Sequence, residues 1–363
     1  MLSPLAKRNI LRIIPFGIIW FIFSFVYSLL EKSILGELHQ YPSTGNPYDF
    51  SKTIISTSIT ALIIGLLVGC AEILFLNKLF ARKSFALKIL FKMAIYLAVI
   101  IFFVLLSSLI HNANELNAGF FSKPVWKNVW AFFTNFAFWG VSIYAATIIG
   151  VSLFYMEVSE NLGQSVLNNF FTGKYHSPVE EERIFMFLDM KSSTTIAEEI
   201  GHVKYFQMLA IYFSDLTDPI IQYSGEIYQY VGDEIVVSWT LNGGLRDSNC
   251  IECFFAMKDT LKMQSPKYKE KFGVVPEFKA GFHLGKVTTG EIGVIKKEII
   301  FTGDVLNTTA RIQGLCNVYE VDILLSGQLL QRLNLQPHYK INSLGEKELK
   351  GRDERIELFT IHR

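Results

Sequence analysis

Two aspartates carry the strongest chemical signal in the chain. Asp189 closes the apolar run Phe185-Met186-Phe187-Leu188-Asp189-Met190, and Asp233 stands at the glycine turn of Tyr230-Val231-Gly232-Asp233-Glu234. An acid ending an apolar strand and an acid at a hairpin tip can together hold a pair of divalent cations, an arrangement that runs phosphoryl and nucleotidyl chemistry. Hard oxygen ligands with room left for phosphate select Mg²⁺ or Mn²⁺ over zinc. Taken singly, each has a plainer reading: Asp189 as a helix cap and Asp233 as a turn former.

After Asp189 the chain runs Lys191-Ser192-Ser193-Thr194-Thr195 and opens a helix. Free backbone N–H groups at a helix start attract phosphate, and Ser193 and Thr194 are small enough to admit it, although both are ordinary capping residues too. Further on, Thr302-Gly303-Asp304-Val305-Leu306-Asn307-Thr308-Thr309-Ala310-Arg311 sets Asn307 and Arg311 four apart, on one helix face. An amide that holds a sugar and a guanidinium that grips phosphate would make a nucleotide-facing edge; a solvated face has the same spacing. Cys250 and Cys253 form a lone CxxC in a helical run. With no second pair at zinc-like spacing, they read as small buried residues.

The elements that must position these residues alternate strand and helix. Arg183–Leu188 reads as a strand, Ile196–Tyr223 has a helical period, and Gly225–Val231 and Glu234–Thr240 flank the Gly232-Asp233 turn as a hairpin. Asn249–Met263 reads as a helix, Glu277–Leu284 as a strand, Lys286–Phe301 as a second hairpin and Val305–Cys316 as a helix. Strand-helix-hairpin-helix-strand is the ferredoxin-like βαββαβ plan, an α/β fold. Its first strand neighbours its third, so Asp189 and Asp233 can converge.

Four motifs, in order, resemble the class III nucleotidyl cyclases. They are Phe187-Leu188-Asp189-Met190-Lys191-Ser192-Ser193-Thr194, the Tyr230–Glu234 hairpin, Gly303-Asp304-x-x-Asn307-x-x-Ala310-Arg311 and Glu348-Leu349-Lys350-Gly351. The resemblance covers roughly residues 170–363 and implies roles residue by residue. Asp189 and Asp233 would bind two metal ions per site, with the Met190 carbonyl as a further ligand. Backbone N–H groups near Ser193 and Thr194 would cradle phosphates. Asn307 would orient the ribose, Arg311 would stabilise charge on the α-phosphate, and Lys350 or Arg352 would hold the triphosphate tail. In that family one catalytic domain supplies the aspartates and another the Asn and Arg. One domain with every element therefore implies a homodimer with two equivalent sites.

The base pocket departs from the family pattern. Gln229 stands where adenylate cyclases usually carry Lys and guanylate cyclases Glu; Ile300 stands where adenylate cyclases carry Asp, Thr or Ser. Gln both donates and accepts, so it can read either purine. Similarity to membrane-bound bacterial members favours ATP, converted to 3′,5′-cyclic AMP and pyrophosphate, and leaves GTP open. An inactive cyclase-like receptor or scaffold would normally have lost a metal Asp or the Arg. A diguanylate cyclase would need Gly-Gly-Asp/Glu-Glu-Phe where Val231-Gly232-Asp233-Glu234-Ile235 stands.

Composition divides the 363 residues in two. Residues 1–156 carry 12 Lys/Arg against 5 Asp/Glu, and residues 157–363 carry 22 against 28. The acidic second part argues against nucleic-acid binding, which wants a basic face. In the first part Ile13–Leu30, Thr53–Leu76, Met93–Ile110 and Asn128–Met156 are each apolar over about the length that crosses a bilayer. The first lacks a signal-peptide cleavage site and should stay in the mature protein. Lys7, Arg8 and Arg12, then Lys78, Arg82, Lys83, Lys88 and Lys92, put the amino terminus and the second loop in the cytoplasm. Four spans return the chain to that side, so a multi-pass protein of the inner (plasma) membrane with both termini cytoplasmic is expected. Glu72 is the one acid within a span, close enough to Asn77-Lys78 to reach the interface. The expected domains are 1–156 (four membrane helices), 157–182 (a cytoplasmic coupling linker) and 183–363 (the catalytic domain).

Overall fold

Apolar length dictates the first half. In the computed structural model, which describes residues 3–42, 47–80, 83–349 and 355–363, it is wholly helical apart from short turns. Helices α1 (Pro4–Leu35) and α2 (Phe50–Ala71) are followed by a π-helical turn, Glu72–Leu76, and by α3 (Asn77–Leu79). Then come α4 (Phe85–Glu115), α5 (Lys123–Phe133) and α6 (Phe136–Leu162). Among the described residues four helices are long and apolar enough to cross a bilayer: Pro4–Leu35, Phe50–Leu76, Phe85–Glu115 and Phe138–Leu162. Large apolar side chains such as Leu67, Phe102 and Phe103 point outward, as they do against lipid.

Two sequence expectations for this half need correction. The apolar run Asn128–Met156 is not one helix: α5 stops at Phe133, and Thr134 turns its hydroxyl back onto the Trp130 carbonyl at 2.9 Å. Side-chain hydrogen bonds of this kind compete with helix continuation. Lys92, expected in the second loop, lies inside α4, where it pairs with the fully buried Glu72.

Residues Ala6–Asn168 form one compact unit and Asn169–Arg363 form the bulk of the other. Helix α7 (Gln164–Thr172) leads into β1 (Val179–Met190), so the expected polar connector is largely helical. The second unit continues with α8 (Ser193–Ile200), α9 (His202–Gln222), β2 (Glu226–Val231), β3 (Glu234–Thr240), α10 (Leu241–Leu245) and α11 (Asn249–Phe272). It closes with β4 (Phe278–Ile292), β5 (Glu298–Thr302), α12 (Asp304–Gly314), β6 (Ile323–Ser326), α13 (Gly327–Leu330), β7 (Lys340–Glu348) and β8 (Arg355–His362).

The sheet order is β2-β3-β1-β4-β6-β8-β7, with β5 paired to β4. Its first four strands are the βαββαβ arrangement, with β1 antiparallel to both β3 and β4. Where a strand and a separate hairpin arm were expected after Glu277, β4 runs unbroken for 15 residues. It pairs with β1 along one edge and with β6 and then β5 along the other.

Strand β1 is apolar because both its faces are covered. Ile184, Met186, Leu188 and Met190 enter the main core with Met208, Tyr212 and Leu216 of α9 and Phe254 and Met257 of α11. Phe185 and Phe187 point the other way, into a smaller core with Val305 and Leu306 of α12, Tyr228 and Phe301. By the two-residue period, Asp189 falls on the α12 face. Cys250 and Cys253 are fully buried in α11, where burial pushes the Cys250 thiol up to about 12 and Cys253 well above its usual range. They are inert packing residues.

Candidate active site

The register of the sheet brings the two aspartates together. Asp189 stands opposite Glu234, the first residue of β3, and Asp233 immediately precedes it in the turn. Gly232 holds φ at +62°, a conformation that glycine adopts without strain, and so closes the turn tightly enough to present Asp233. The two carboxylates lie within hydrogen-bonding reach of each other. Burial pushes the Asp189 carboxyl above the usual carboxylate range, the Asp233 charge pushes the same way, and Lys279 pulls against both. Glu234 is half-buried beside them; burial, reinforced by Asp189 and Asp233, moves it up to about 7.

Three side chains around the aspartates were missed in the sequence. Lys279, opposite Asp189 on β4, brings its Nζ to 3.2 Å from Asp189 Oδ2 and donates to Asn317 Oδ1 at 2.9 Å. Gln313 on α12 donates to the same Asp189 oxygen at 3.3 Å. Tyr205 on α9 directs its hydroxyl to Met190 Sδ at 4.0 Å and feels the charges of Asp233 and Asp189. Their only sequence signal would have been strand register and helix packing, which local spacing does not reveal.

Asp233 Oδ2 is buried and has no hydrogen-bond partner among the described residues. One ammonium therefore faces three acids, one of which carries an orphaned oxygen, a setting suited to divalent cations. Among the described residues no group of three or more His, Cys, Asp and Glu converges as a complete metal cage. Two aspartates leave most coordination positions to water and phosphate oxygens, which is how Mg²⁺ is ordinarily held. Met190 ends β1 with its side chain buried, so only its backbone carbonyl is available as a ligand.

The remaining candidates fall elsewhere. Ser193 and Thr194 open α8 directly after the β1 turn, with no side-chain cap on its first N–H groups. Helix α12 buries Val305, Thr308, Thr309, Ile312 and Gln313; Asn307 is exposed and Arg311 half-buried. Neither the Asn307 nor the Arg311 side chain makes a hydrogen bond or ion pair among the described residues, so neither is tied to this chain's aspartates. Gln229 is exposed at a bulge in β2, and Ile300 is half-buried on β5 opposite Gly290. Their neighbours do meet: the Phe301 N–H donates to Tyr228 Oη at 3.2 Å. Lys350 and Arg352 lie outside the described residues.

The sequence profile of the adenylate and guanylate cyclase catalytic domain matches residues 176–363. Adenylate cyclase 2 of Rhizobium meliloti (strain 1021) is 36% identical over 221 residues, which is 61% of this chain and 61% of that protein. Adenylate cyclase 1 of the same strain is 26% identical over 187 residues, covering 50% of this chain and 27% of that protein. The chain thus spans less than two thirds of either relative. A solved bacterial light-regulated adenylyl cyclase superposes with a TM-score of 0.53 at 19% identity, covering 63% of this chain and 66% of that one, a likeness of fold. With the matched profile extending over more than half of its residues, the chain belongs to the adenylate and guanylate cyclase family, the class III nucleotidyl cyclases.

Proposed function

We propose that this protein is a membrane-anchored adenylate cyclase that converts ATP to 3′,5′-cyclic AMP and pyrophosphate at a homodimer interface. The observation that carries this reading is the convergence of Asp189 and Asp233 with a buried, unpartnered Asp233 oxygen. Asp189 and Asp233 would hold two Mg²⁺ or Mn²⁺ ions, with the Met190 carbonyl as a further ligand. When bound, the ions supply Lewis-acid stabilisation of phosphate charge and a more nucleophilic ribose 3′-oxygen. The chain's own groups then do the rest. Backbone N–H groups of Ser193 and Thr194 cradle phosphate oxygens at the start of α8. From the partner protomer, Asn307 holds the ribose, and Arg311 stabilises the charge that gathers on the α-phosphate as the 3′-oxygen attacks. The 3′-hydroxyl loses its proton to solvent, the new bond joins O3′ to the α-phosphorus, the bond from that phosphorus to the bridging α–β oxygen breaks, and pyrophosphate leaves with the electron pair. Lys350 would grip the departing tail. That the Asn307 and Arg311 side chains make no hydrogen bond or ion pair among the described residues supports service to a second protomer.

The four apolar helices and the Lys/Arg distribution support a multi-pass protein of the inner (plasma) membrane with both termini in the cytoplasm. Guanylate cyclase is the second reading, left open because Gln229 and Ile300 match the usual base pocket of neither kind of cyclase. Product analysis decides between them: the full-length protein in vesicles is supplied with ATP or GTP and with Mg²⁺ or Mn²⁺. Cyclic AMP as the main product is expected; cyclic GTP-derived product alone would replace the substrate, and no cyclic product from either would overturn the enzyme.

A further inference from the structure

The membrane unit contains a charge network that catalysis does not use. Glu72, at the start of the π turn, accepts from Lys92 Nζ at 2.5 Å and from the Tyr96 hydroxyl at 3.1 Å. The same Lys92 ammonium donates to Glu157 Oε1 at 3.0 Å, and Lys88 reaches Glu157 Oε2 at 3.2 Å. Asn77 donates to Glu160 Oε1 at 2.5 Å, and Arg12 pairs with that same oxygen. Glu72 and Lys92 are wholly buried and Glu157 is 1% exposed. The network therefore links α1, α2 with its π turn, α4 and α6.

Three features make this more than packing. First, its charges balance, three cations (Arg12, Lys88, Lys92) against three carboxylates (Glu72, Glu157, Glu160), so it neither attracts nor carries a net ion. Lipid gives apolar helices no hydrophobic reason to choose one packing over another, and charges buried among such helices are costly unless they are paired and perform a task. Second, the π turn builds the network. Five residues along an α-helix leave two side chains about 140° apart, whereas the i→i+5 bond from Asn77 N–H to Glu72 carbonyl returns Asn77 to the Glu72 side. Both can then face α4 and α6. Third, Glu157 and Glu160 sit in the closing turns of α6, the last helix before α7 and β1, so they hold the segment through which any movement of the bundle must pass. Beside Glu157 lies an open cleft of about 430 Å³, lined by Phe85, Lys88 and Leu162 among others.

We propose that the Glu72–Lys92–Glu157 network is a conformational latch that fixes the rotation and depth of α6 and thereby sets catalytic output. Releasing it lets α6 sample several positions, only some of which bring two catalytic domains into the closing geometry. The turnover readout rests on the cyclase reading above; a second readout does not.

The test uses the full chain in lipid vesicles. The triple variant Glu72→Gln/Lys92→Met/Glu157→Gln removes the three buried charges together, the form of replacement that folded proteins tolerate; Lys88, whose side chain is 18% exposed, is the one group that loses its partner. Its kcat should fall by about fivefold or more, the lower end of coupling between distant sites, with nucleotide KM and melting temperature unchanged. Amide hydrogen exchange over α7 should speed up. Lys92→Arg, which keeps the charge and both carboxylate partners, should retain wild-type kcat and exchange. Unchanged kcat and unchanged α7 exchange in the inserted triple variant would overturn the latch. If that variant fails to insert, Glu157→Gln alone is read in the same way, since the Glu72–Lys92 pair survives in it. A wild-type protein that makes no cyclic nucleotide defeats the cyclase reading instead, and α7 exchange then decides the latch by itself.

Discussion

Asp189 and Asp233 differ in what surrounds them, and that difference decides how each should respond to substitution. Asp189 is tied to Lys279 and Gln313, whereas Asp233 keeps one buried oxygen without a partner. Asp233→Asn places an amide where the proposed cation would bind and breaks no hydrogen bond from that oxygen, so the fold should be retained. Cyclic nucleotide formation should fall by roughly 100-fold or more, the scale on which losing a charge-stabilising group acts, with the melting temperature in metal-free buffer within about 1 °C of wild type. Near-normal turnover at saturating ATP and Mg²⁺ would remove Asp233 from the site. Both aspartates were readable because an acid is conspicuous at the end of an apolar run and beside a turn glycine. Lys279 and Gln313 were not, because each reaches Asp189 across the sheet or from a helix, with Gln313 lying 124 residues away in sequence.

Helix α12 stands close enough to β4 for its backbone to determine which residue β4 can carry. A Cβ on Gly281 would lie 2.3 Å from Gln313 N and 2.6 Å from its Cα, and neither backbone atom can swing aside. Gly281→Ala should push α12 outward and destabilise the unit by about 1–3 kcal/mol, lowering its melting temperature by roughly 2–4 °C per kcal/mol. Activity should fall with it, because Gln313, Asn307 and Arg311 all ride on α12; a variant with wild-type melting temperature would refute the close approach. A second inter-element tie is Asp322, before β6, which pairs with Lys191 after β1 and Lys258 on α11. Burial opposes the Asp322 carboxylate, but the two lysines outweigh it and hold the group below its ordinary value. A depressed carboxyl contributes stability above its unfolded value of about 4 and loses it as pH falls through the folded value. Asp322→Asn should therefore cost about 1 kcal/mol or less at pH 7, with the gap to wild type closing below about pH 4; a constant gap across that range would assign the effect to packing. The βαββαβ core was legible because its helices are periodic and its central hairpin turns on Gly232. The inward and outward sides of β1 were not, since Ile184–Leu188 is apolar at every position and shows no two-residue alternation. The π turn at Glu72 left no trace either, as the four residues after Glu72 read like any other apolar stretch of a span.

At the scale of the whole molecule the question is how many chains make one site. The aspartates converge within one protomer, yet among the described residues the Asn307 and Arg311 side chains make no hydrogen bond or ion pair, which is the pattern expected if each protomer lends them to another. Complementation separates the two cases. Asp189→Asn and Arg311→Ala chains should each be inactive as homodimers, since every site in either has lost one component. In a mixed dimer, one site combines the intact aspartates of the Arg311→Ala chain with the intact Arg311 of the Asp189→Asn chain; the other site carries both lesions. Random pairing makes about half of all dimers mixed, each with one working site of two, so co-reconstituted chains should recover roughly a quarter of wild-type activity. Tagging the two chains differently and capturing through both tags in succession isolates the mixed dimer, whose specific activity should then rise to about half. Mixed dimers that form and stay inactive would mean that Asp189 and Arg311 must belong to the same chain, and the site would have to be rebuilt within one protomer.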